Sequence, residues 1–307
     1  MHINELKAKS PQQLLKMAED MGIENPAQLN VQQLRFAVMR VYAADKKITL
    51  IGDGVLGPWV AKTCMRTLTK VLASSDEDAK RLQLFCTNIE VKTVGNLKID
   101  AALGALDTTN FKISRESLGT SWQNAIILLG ASTWEGEEEL LVHFYKKARP
   151  LYPRLKLILV PRHVERTASV ERILKHSTIN YSLRTQSTMD TEVLLVNTTG
   201  ELKNFVALAD MVFVGKSLEP NVGGQTPIEA AAFGKPIVYG PHMENFRTLC
   251  AGLEASSGAI RCPNAQMVEE QLFDWLQNPE NARACGTSAQ RWIHQNKGAL
   301  VRILDEI

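Results

Sequence analysis

The chain of 307 residues lacks several features that would point to a membrane, secreted or metal-dependent protein. No apolar run approaches the roughly 18 residues of a spanning helix, and the polar, lysine-containing start is unlike a signal peptide. The five cysteines are scattered, odd in number and without a C-x-x-C pair. We therefore expect reduced thiols in a cytoplasmic protein, with neither a disulfide framework nor a zinc site. The net charge of +2 gives no bulk attraction for nucleic acid.

Short apolar runs alternate with amphipathic segments over residues 121–300, which predicts strands and helices in alternation. Because these strands are mainly apolar and do not alternate with polar residues, they predict a parallel sheet with helices on both faces. Ligands bind such sheets at the carboxyl ends of the strands. The predicted strands are 125–129, 155–160, 192–197, 211–214 and 237–239, and the predicted helices are 60–72, 135–147, 164–176, 200–209, one from 227, 267–277 and 282–295.

The most informative stretch is residues 214–246, in which a strand runs into a glycine-rich loop and a helix that carries Glu229 in its first turn. Glycines allow a close approach between backbone and ligand, and a helix N-terminus offers N–H groups to an anion. A carboxylate there accepts hydrogen bonds from ribose hydroxyls. This order is typical of a nucleotide-sugar site, the alternative being an ordinary βαβ turn with incidental glycines.

Two further strand ends carry polar groups. Ser132 and Thr133 follow the strand at 125–129 and could hold a phosphate or carboxylate, or simply cap the next helix. Pro161 and Arg162 follow the strand at 155–160, and the planar guanidinium suits a phosphate or a carboxylate. The alternative is an arginine exposed at the protein surface.

The segments E-A-A-A-F-G-K-P-I-V (229–238), G-P-H-M-E-N-F (240–246), G-A-S-T-W-E-G-E-E-E (130–139) and D-T-E-V-L-L-V (190–196) together resemble the Kdo (3-deoxy-D-manno-octulosonic acid) transferases. These are GT-B glycosyltransferases. The resemblance implies a Rossmann-like donor-binding domain, CMP-Kdo as donor and a lipid A precursor as acceptor. It implies no cofactor and no metal, and no D-x-D stands in a suitable loop.

By this resemblance, the donor contacts come from the strand-end loops and from the helix that follows the glycine-rich loop. The chain departs from the family pattern at Trp134, Lys216, Gln225 and Thr226; in particular, the charge of Lys216 could assist a phosphate or obstruct it. The predicted donor-binding residues are Ser132, Thr133, Pro161, Arg162, Gly215, Lys216, Ser217, Thr226, Pro227, Ile228, Glu229, His242 and Asn245.

The first 56 residues resemble a different family. A capping box at Ser10 to Gln13 opens a helix, and residues 3–40 with I-G-D-G-V-L (51–56) resemble the start of transcription termination factor Rho, a helical segment that precedes an RNA-binding fold. No P-loop follows, which excludes an RNA-dependent ATPase. We predict three parts: a Rho N-terminal-like helical segment (1–56), a remnant of the GT-B N-terminal domain with its linker (57–115), and the GT-B donor-binding domain (116–307).

The catalytic base of the family is a glutamate in the N-terminal domain, and no residue here is assigned that role. We therefore expect CMP or CMP-Kdo to bind while catalysis is weak or absent. The alternatives are a non-catalytic CMP-sugar-binding or RNA-interacting fusion protein, and an artefactual junction near residues 54–57. The expected partners are the donor, the lipid acceptor, RNA through residues 1–56, and peripheral contact with the cytoplasmic face of the inner membrane, without a transmembrane segment.

Overall fold

A computed structural model describes residues 9–23, 26, 31, 34, 37–38, 68–84, 89–104, 112–186 and 190–306. The chain divides into two units, one formed by residues 1–96 with 298–307 and the other by residues 97–297.

The described strands are β1 Lys70–Ala73, β2 Glu90–Thr93, β3 Ile126–Thr133, β4 Leu155–Pro161, β5 Tyr181–Leu183, β6 Val193–Leu195, β7 Met211–Val214, β8 Ile237–Tyr239 and β9 Ile260–Arg261. The described helices are α1 Pro11–Asp20, α2 Asp76–Gln83, α3 Leu97–Gly104, α4 Arg115–Leu118, α5 Glu137–Ala148, α6 Thr167–His176, α7 Leu202–Leu208, α8 Ile228–Ala232, α9 Arg247–Ala255, α10 Ala265–Gln277, α11 Pro279–Gln295 and α12 Ala299–Leu304.

In the first unit, the predicted capping box is confirmed, since Ser10 Oγ accepts from the Gln13 N–H and the Gln13 side chain accepts from the Ser10 N–H. The unit also contains a parallel pair, β1 and β2, joined through α2. The helix predicted at 60–72 is wrong at its end, because residues 70–73 form β1; residues 60–67 lie outside the described part of the chain. Val71 and Leu72 are buried strand residues, and the pairing with β2, some 20 residues later, decides their conformation.

The second unit is built on a seven-stranded, all-parallel sheet in the order β5-β6-β4-β3-β7-β8-β9. Successive residues of one strand enter two separate cores: Ile127 and Leu129 pack on one face of the sheet, and Leu128 packs on the other. Both faces are thus covered, as the uninterrupted apolar runs predict. The predicted α/β fold is confirmed.

Most predicted elements in this unit are present with shifted ends. The helix predicted at 164–176 begins with a 3-10 turn at Val164–Arg166, and the helix predicted at 282–295 begins earlier, at Pro279. The elements β5, β9 and α9 were not predicted from the sequence; β5 and β9 have only three and two residues, too few for a periodic pattern. No helix among the described residues has the length and apolarity needed to cross a membrane.

The strand order reverses between β3 and β7. From β3 the chain moves to β4 and the edge formed by β5 and β6, and it then returns to place β7 on the other side of β3. The loops after β3 and β7 therefore diverge at a topological switch point, where open α/β sheets bind their ligands.

Candidate functional site

The carboxyl ends of β4, β3, β7 and β8 lie side by side, so the sheet brings together most of the residues predicted from the sequence. A bulge between Ala131 and Thr133 interrupts the register with β4, and Thr133 then pairs with Pro161. The Arg162 N–H donates to the Thr133 carbonyl at 3.0 Å. This bond fixes the start of the loop after β4, while the Arg162 side chain is exposed.

Two non-glycine residues at the switch point adopt the left-handed backbone conformation. Ser132 has a φ of 53° and Lys216 a φ of 59°. Such a conformation costs a non-glycine residue about 1–2 kcal/mol, and strained residues cluster at functional sites. The strain lies in the bulged end of β3 and in the loop after β7, at the two strands that meet at the switch point.

The two loops are joined by a carboxylate that the sequence analysis did not single out. Glu137 begins α5, is 1% exposed, and accepts four backbone hydrogen bonds. Its Oε2 accepts from Trp134 at 2.8 Å and Lys216 at 2.9 Å, and its Oε1 accepts from Ser217 at 2.8 Å and Leu218 at 3.2 Å. Burial raises the pKa of Glu137, and these four N–H groups oppose the rise by favouring the carboxylate.

Gly215 is required by the close approach of the same loops. A Cβ at this position would lie 2.4 Å from the Ser132 carbonyl oxygen and 2.7 Å from the Thr133 Cα. Both atoms belong to the backbone and cannot rotate away. The Gly215 carbonyl accepts from Gln225 N–H at 3.1 Å, which closes the loop 215–225 on itself.

Ser217, predicted as a donor-binding residue, is fully buried, and its hydroxyl forms hydrogen bonds within the protein. Its hydroxyl donates to the Val214 carbonyl at 2.8 Å and accepts from the Gly240 N–H at 2.9 Å. Its carbonyl accepts from the His242 N–H at 3.1 Å. Ser217 thus links the ends of β7 and β8, and its side chain positions the loops.

The G-P-H-M-E-N-F loop is tied to the glycine-rich loop through Gly223. The Gly223 N–H donates to Glu244 Oε2 at 2.9 Å, and its carbonyl accepts from the Asn245 N–H at 3.0 Å. His242 stands between two carboxylates, with Nδ1 at 3.2 Å from Glu244 Oε1 and Nε2 at 3.6 Å from Glu219 Oε1. The amide of Asn245 lies on an exposed residue beside Gly223.

The start of α8 follows the glycine-rich loop. Thr226 Oγ1 accepts from the Ile228 N–H at 3.3 Å, and Ile228 is a core residue at 3% exposure. Pro227 is buried at the N-cap position. Glu229 lies in the first turn, as predicted; burial raises its pKa and the charge of Lys203 opposes the rise. Within the described residues, no hydrogen bond or ion pair occupies its carboxylate.

Trp134 connects the loops after β4 and β7 through its ring. The His163 ring meets it edge-on, with centroids 5.2 Å apart, and Lys216 Nζ lies 4.9 Å from its centroid. Trp134 and Lys216 are two of the positions at which the sequence departs from the family pattern, and they contact each other across 82 residues of chain. The sequence analysis noted both positions without predicting their contact.

This edge of the sheet therefore carries two kinds of polar group. Glu137, Ser217 and Glu244 are engaged in shaping the loops. In the described part of the chain, the guanidinium of Arg162, the ammonium of Lys216 and the carboxylate of Glu229 have no hydrogen-bonded or ion-pair partner. Two cations and a carboxylate suit the phosphate and the ribose of a nucleotide. No described group of three His, Cys, Asp or Glu residues is arranged to hold a metal ion.

Comparisons with known proteins show which families the chain resembles. The chain is 32% identical to the 3-deoxy-D-manno-octulosonic acid transferase of Bordetella pertussis over 78% of this chain and 56% of the relative. It is also 32% identical to the enzyme of that name from Haemophilus influenzae, over 70% of this chain and 51% of the relative. The chain thus spans about half the length of these curated relatives.

Among solved structures, the C-terminal CMP-Kdo binding domain of WaaA from Acinetobacter baumannii matches with a TM-score of 0.53 at 25% identity, over 64% of this chain and 99% of that domain. The MnaA–UDP structure of S. aureus matches with a TM-score of 0.58 at 14% identity, over 100% of this chain and 83% of that one, and supports the fold alone.

The family described as "Rho termination factor, N-terminal domain" matches residues 5–45. Both resemblances predicted from the sequence are therefore confirmed: the chain is similar to the Kdo transferases over most of its length, and it is similar to the N-terminal domain of Rho near its start.

Proposed function

We propose that this chain is a Kdo transferase-like glycosyltransferase of lipopolysaccharide core biosynthesis, with CMP-Kdo as donor and a lipid A precursor as acceptor. The observation that carries the proposal is that three of the four family-like segments, all except 190–196, come together at the carboxyl edge of the sheet. The loops at 130–139, 161–163, 215–229 and 240–246 meet at the switch point of the sheet. The name of the A. baumannii domain supports CMP-Kdo as the ligand of this fold.

Each free group at the crevice has a role in this proposal. Arg162 and Lys216 supply positive charge for the phosphate or the sugar carboxylate, and Glu229 accepts from ribose hydroxyls. Ser217 and Ile228 act by holding the loops and α8 in place. The proposed donor site comprises Ser132, Thr133, Pro161, Arg162, Gly215, Lys216, Ser217, Thr226, Pro227, Ile228, Glu229, His242 and Asn245.

For the acceptor half of the reaction, we assign no residue of this chain to a catalytic role. A general base must come within hydrogen-bond reach of the acceptor hydroxyl. Because the acceptor is a lipid, we propose that the protein works at the cytoplasmic face of the inner membrane through peripheral contact. In this scheme residues 1–56 form the Rho-like segment, 57–115 a remnant of the GT-B N-terminal domain with its linker, and 116–307 the donor-binding domain.

Calorimetric titration with CMP tests the donor site. We expect binding by the wild-type chain, and a loss of about 10- to 100-fold in Arg162→Ala or Glu229→Gln, the effect of a charge-assisted hydrogen bond of about 1.5–3 kcal/mol. Arg172→Ala, an exposed arginine on α6, is the matched control and should bind as the wild type does. A folded chain that binds UMP and not CMP would refute the assigned donor.

A second candidate function is that of a non-catalytic CMP-sugar-binding protein with an RNA-interacting segment. The match of residues 5–45 to the Rho N-terminal domain favours it. A gel-shift assay of the full chain with single-stranded RNA at low salt, where phosphate contacts are strongest, should then show binding that weakens steeply with salt. A chain that leaves the RNA unshifted while still binding CMP would exclude the RNA role.

A further inference from the structure

Backbone donors of the loop after β7 are already used by the protein itself. Three consecutive N–H groups, of Lys216, Ser217 and Leu218, point at Glu137 over distances of 2.8–3.2 Å. Consecutive N–H groups of this kind form a concave anion site. Because a resident carboxylate fills it, an incoming oxyanion finds no free backbone donor there and meets a negative charge beneath the loop.

Lys216 provides the compensating charge on the same loop. Its N–H binds Glu137, while its ammonium lies 4.9 Å from the Trp134 ring centroid. None of the described carboxylates forms an ion pair with it. An indole face holds a cation in place through its quadrupole, and it adds no formal negative charge. The ammonium is therefore positioned and still able to attract an anion.

The ammonium lies at the switch point of the sheet, where open α/β sheets bind their ligands. Trp134 follows β3, Lys216 follows β7, and these neighbouring strands flank the switch point. Trp134 also makes an edge-to-face contact with His163, with ring centroids 5.2 Å apart, and His163 is next in sequence to the unpaired Arg162. Strands are about 4.8 Å apart, so the two cations follow strands separated by roughly 10 Å across the mouth of the crevice.

We propose that Lys216 and Trp134 act as one unit, the Lys216–Trp134 pair, which recognises an oxyanion of the donor in place of the backbone N–H groups that Glu137 occupies. The proposal rests on the proposed function, because the anion belongs to the nucleotide sugar. Trp134 acts as a positioning residue, and Lys216 makes the contact. The oxyanion is either the phosphate or the sugar carboxylate of the donor.

Calorimetric titrations with cytidine, CMP and CMP-Kdo distinguish these sources. We expect Lys216→Met to bind CMP and CMP-Kdo about tenfold more weakly and to leave cytidine unchanged if the phosphate is the target. A loss confined to CMP-Kdo assigns the carboxylate. Lys146→Met, an exposed lysine at the far end of α5, is the control for charge removal and should match the wild type.

A double-mutant cycle tests whether the two residues act together. Trp134→Leu should weaken binding several-fold when Lys216 is present and have no further effect in Lys216→Met. If the losses of affinity in Trp134→Leu and Lys216→Met simply add in the double variant, the two residues act independently and the pair is refuted.

The remaining outcomes separate this inference from the proposed function. If the wild-type chain binds CMP and CMP-Kdo and Lys216→Met binds both equally well, the pair is refuted while the donor site stands. If Lys216→Met weakens cytidine as much as CMP, the effect is not one of anion recognition and the pair is again refuted. If the folded wild-type chain binds none of the three ligands, both proposals fail.

Discussion

Replacing Glu137 with glutamine tests whether one buried carboxylate holds the crevice together. Each carboxylate oxygen accepts two backbone N–H groups. In either orientation, the amide NH2 of glutamine replaces one of these oxygens and leaves two N–H groups without an acceptor: the part-buried pair of Trp134 and Lys216, or the buried pair of Ser217 and Leu218. Each such group costs about 1–3 kcal/mol. The neutral amide is easier to bury than a carboxylate, so we expect a net loss of about 2–4 kcal/mol in the free energy of unfolding.

Thermal unfolding followed by circular dichroism measures this loss. For a unit of about 200 residues, each kcal/mol lowers Tm by roughly 2–4 °C, so we expect a fall of roughly 5–15 °C. Glu139→Gln is the matched control, since Glu139 is an exposed residue in the first turn of the same helix. Equal stability of the two variants, within about 0.5 kcal/mol, would refute the assignment of Glu137 as the clamp between the loops.

Two further substitutions probe the supports of the same edge. Arg166 binds the carboxylate of the fully buried Glu138 at 2.5 and 3.1 Å. Arg166→Met removes this partner and should lower the free energy of unfolding, measured in urea, by about 3–5 kcal/mol. The control Arg172→Met should leave it unchanged. Burial raises the pKa of Glu138, and Arg166 opposes the rise. The loss of stability in Arg166→Met should therefore be largest above the pKa of Glu138 in the folded variant. It should shrink as the pH falls towards the ordinary pKa of a glutamate, because the protonated side chain carries no charge to bury. Gly215→Ala should cost about 1–3 kcal/mol by overpacking and abolish CMP binding, whereas Gly104→Ala, with open space around its Cβ position, should be neutral.

A destabilised Arg166→Met variant whose deficit is the same at every pH would contradict the buried-charge explanation. A Gly215→Ala variant with wild-type stability and CMP affinity would contradict the close approach of the two loops. Both comparisons use urea unfolding monitored by circular dichroism and titration with CMP.

The fold was largely predictable because its signal is local. Strands β3 and β4 are long and apolar, and helices such as α5 and α10 carry a clear periodicity. The edge strands β5 and β9 are too short for such a pattern and form only because β6 and β8 offer them hydrogen bonds. In the same way, residues 70–73 form a strand through pairing with β2 rather than through their own preference.

The location of the candidate site was predictable from the sequence, whereas the contacts among its residues were not. Arg162 and Glu229 could be identified because a polar group after a strand, or in the first turn of a helix, is visible locally. Glu137 reads as an ordinary acidic residue at a helix start, and its role depends on N–H groups about 80 residues away in the chain. The contact between Lys216 and Trp134 is hidden for the same reason, since the two positions are far apart in the chain and meet only when the sheet brings β3 and β7 together.

We propose that a CMP-sugar donor binds outside the carboxyl ends of β3 and β7. A crystal structure of the full chain with CMP tests it most directly. We predict that the ribose contacts Glu229 and that the phosphate lies within hydrogen-bond distance of Arg162 or Lys216. CMP bound away from this crevice, or crystals grown in saturating CMP that show the crevice empty, would contradict the claim.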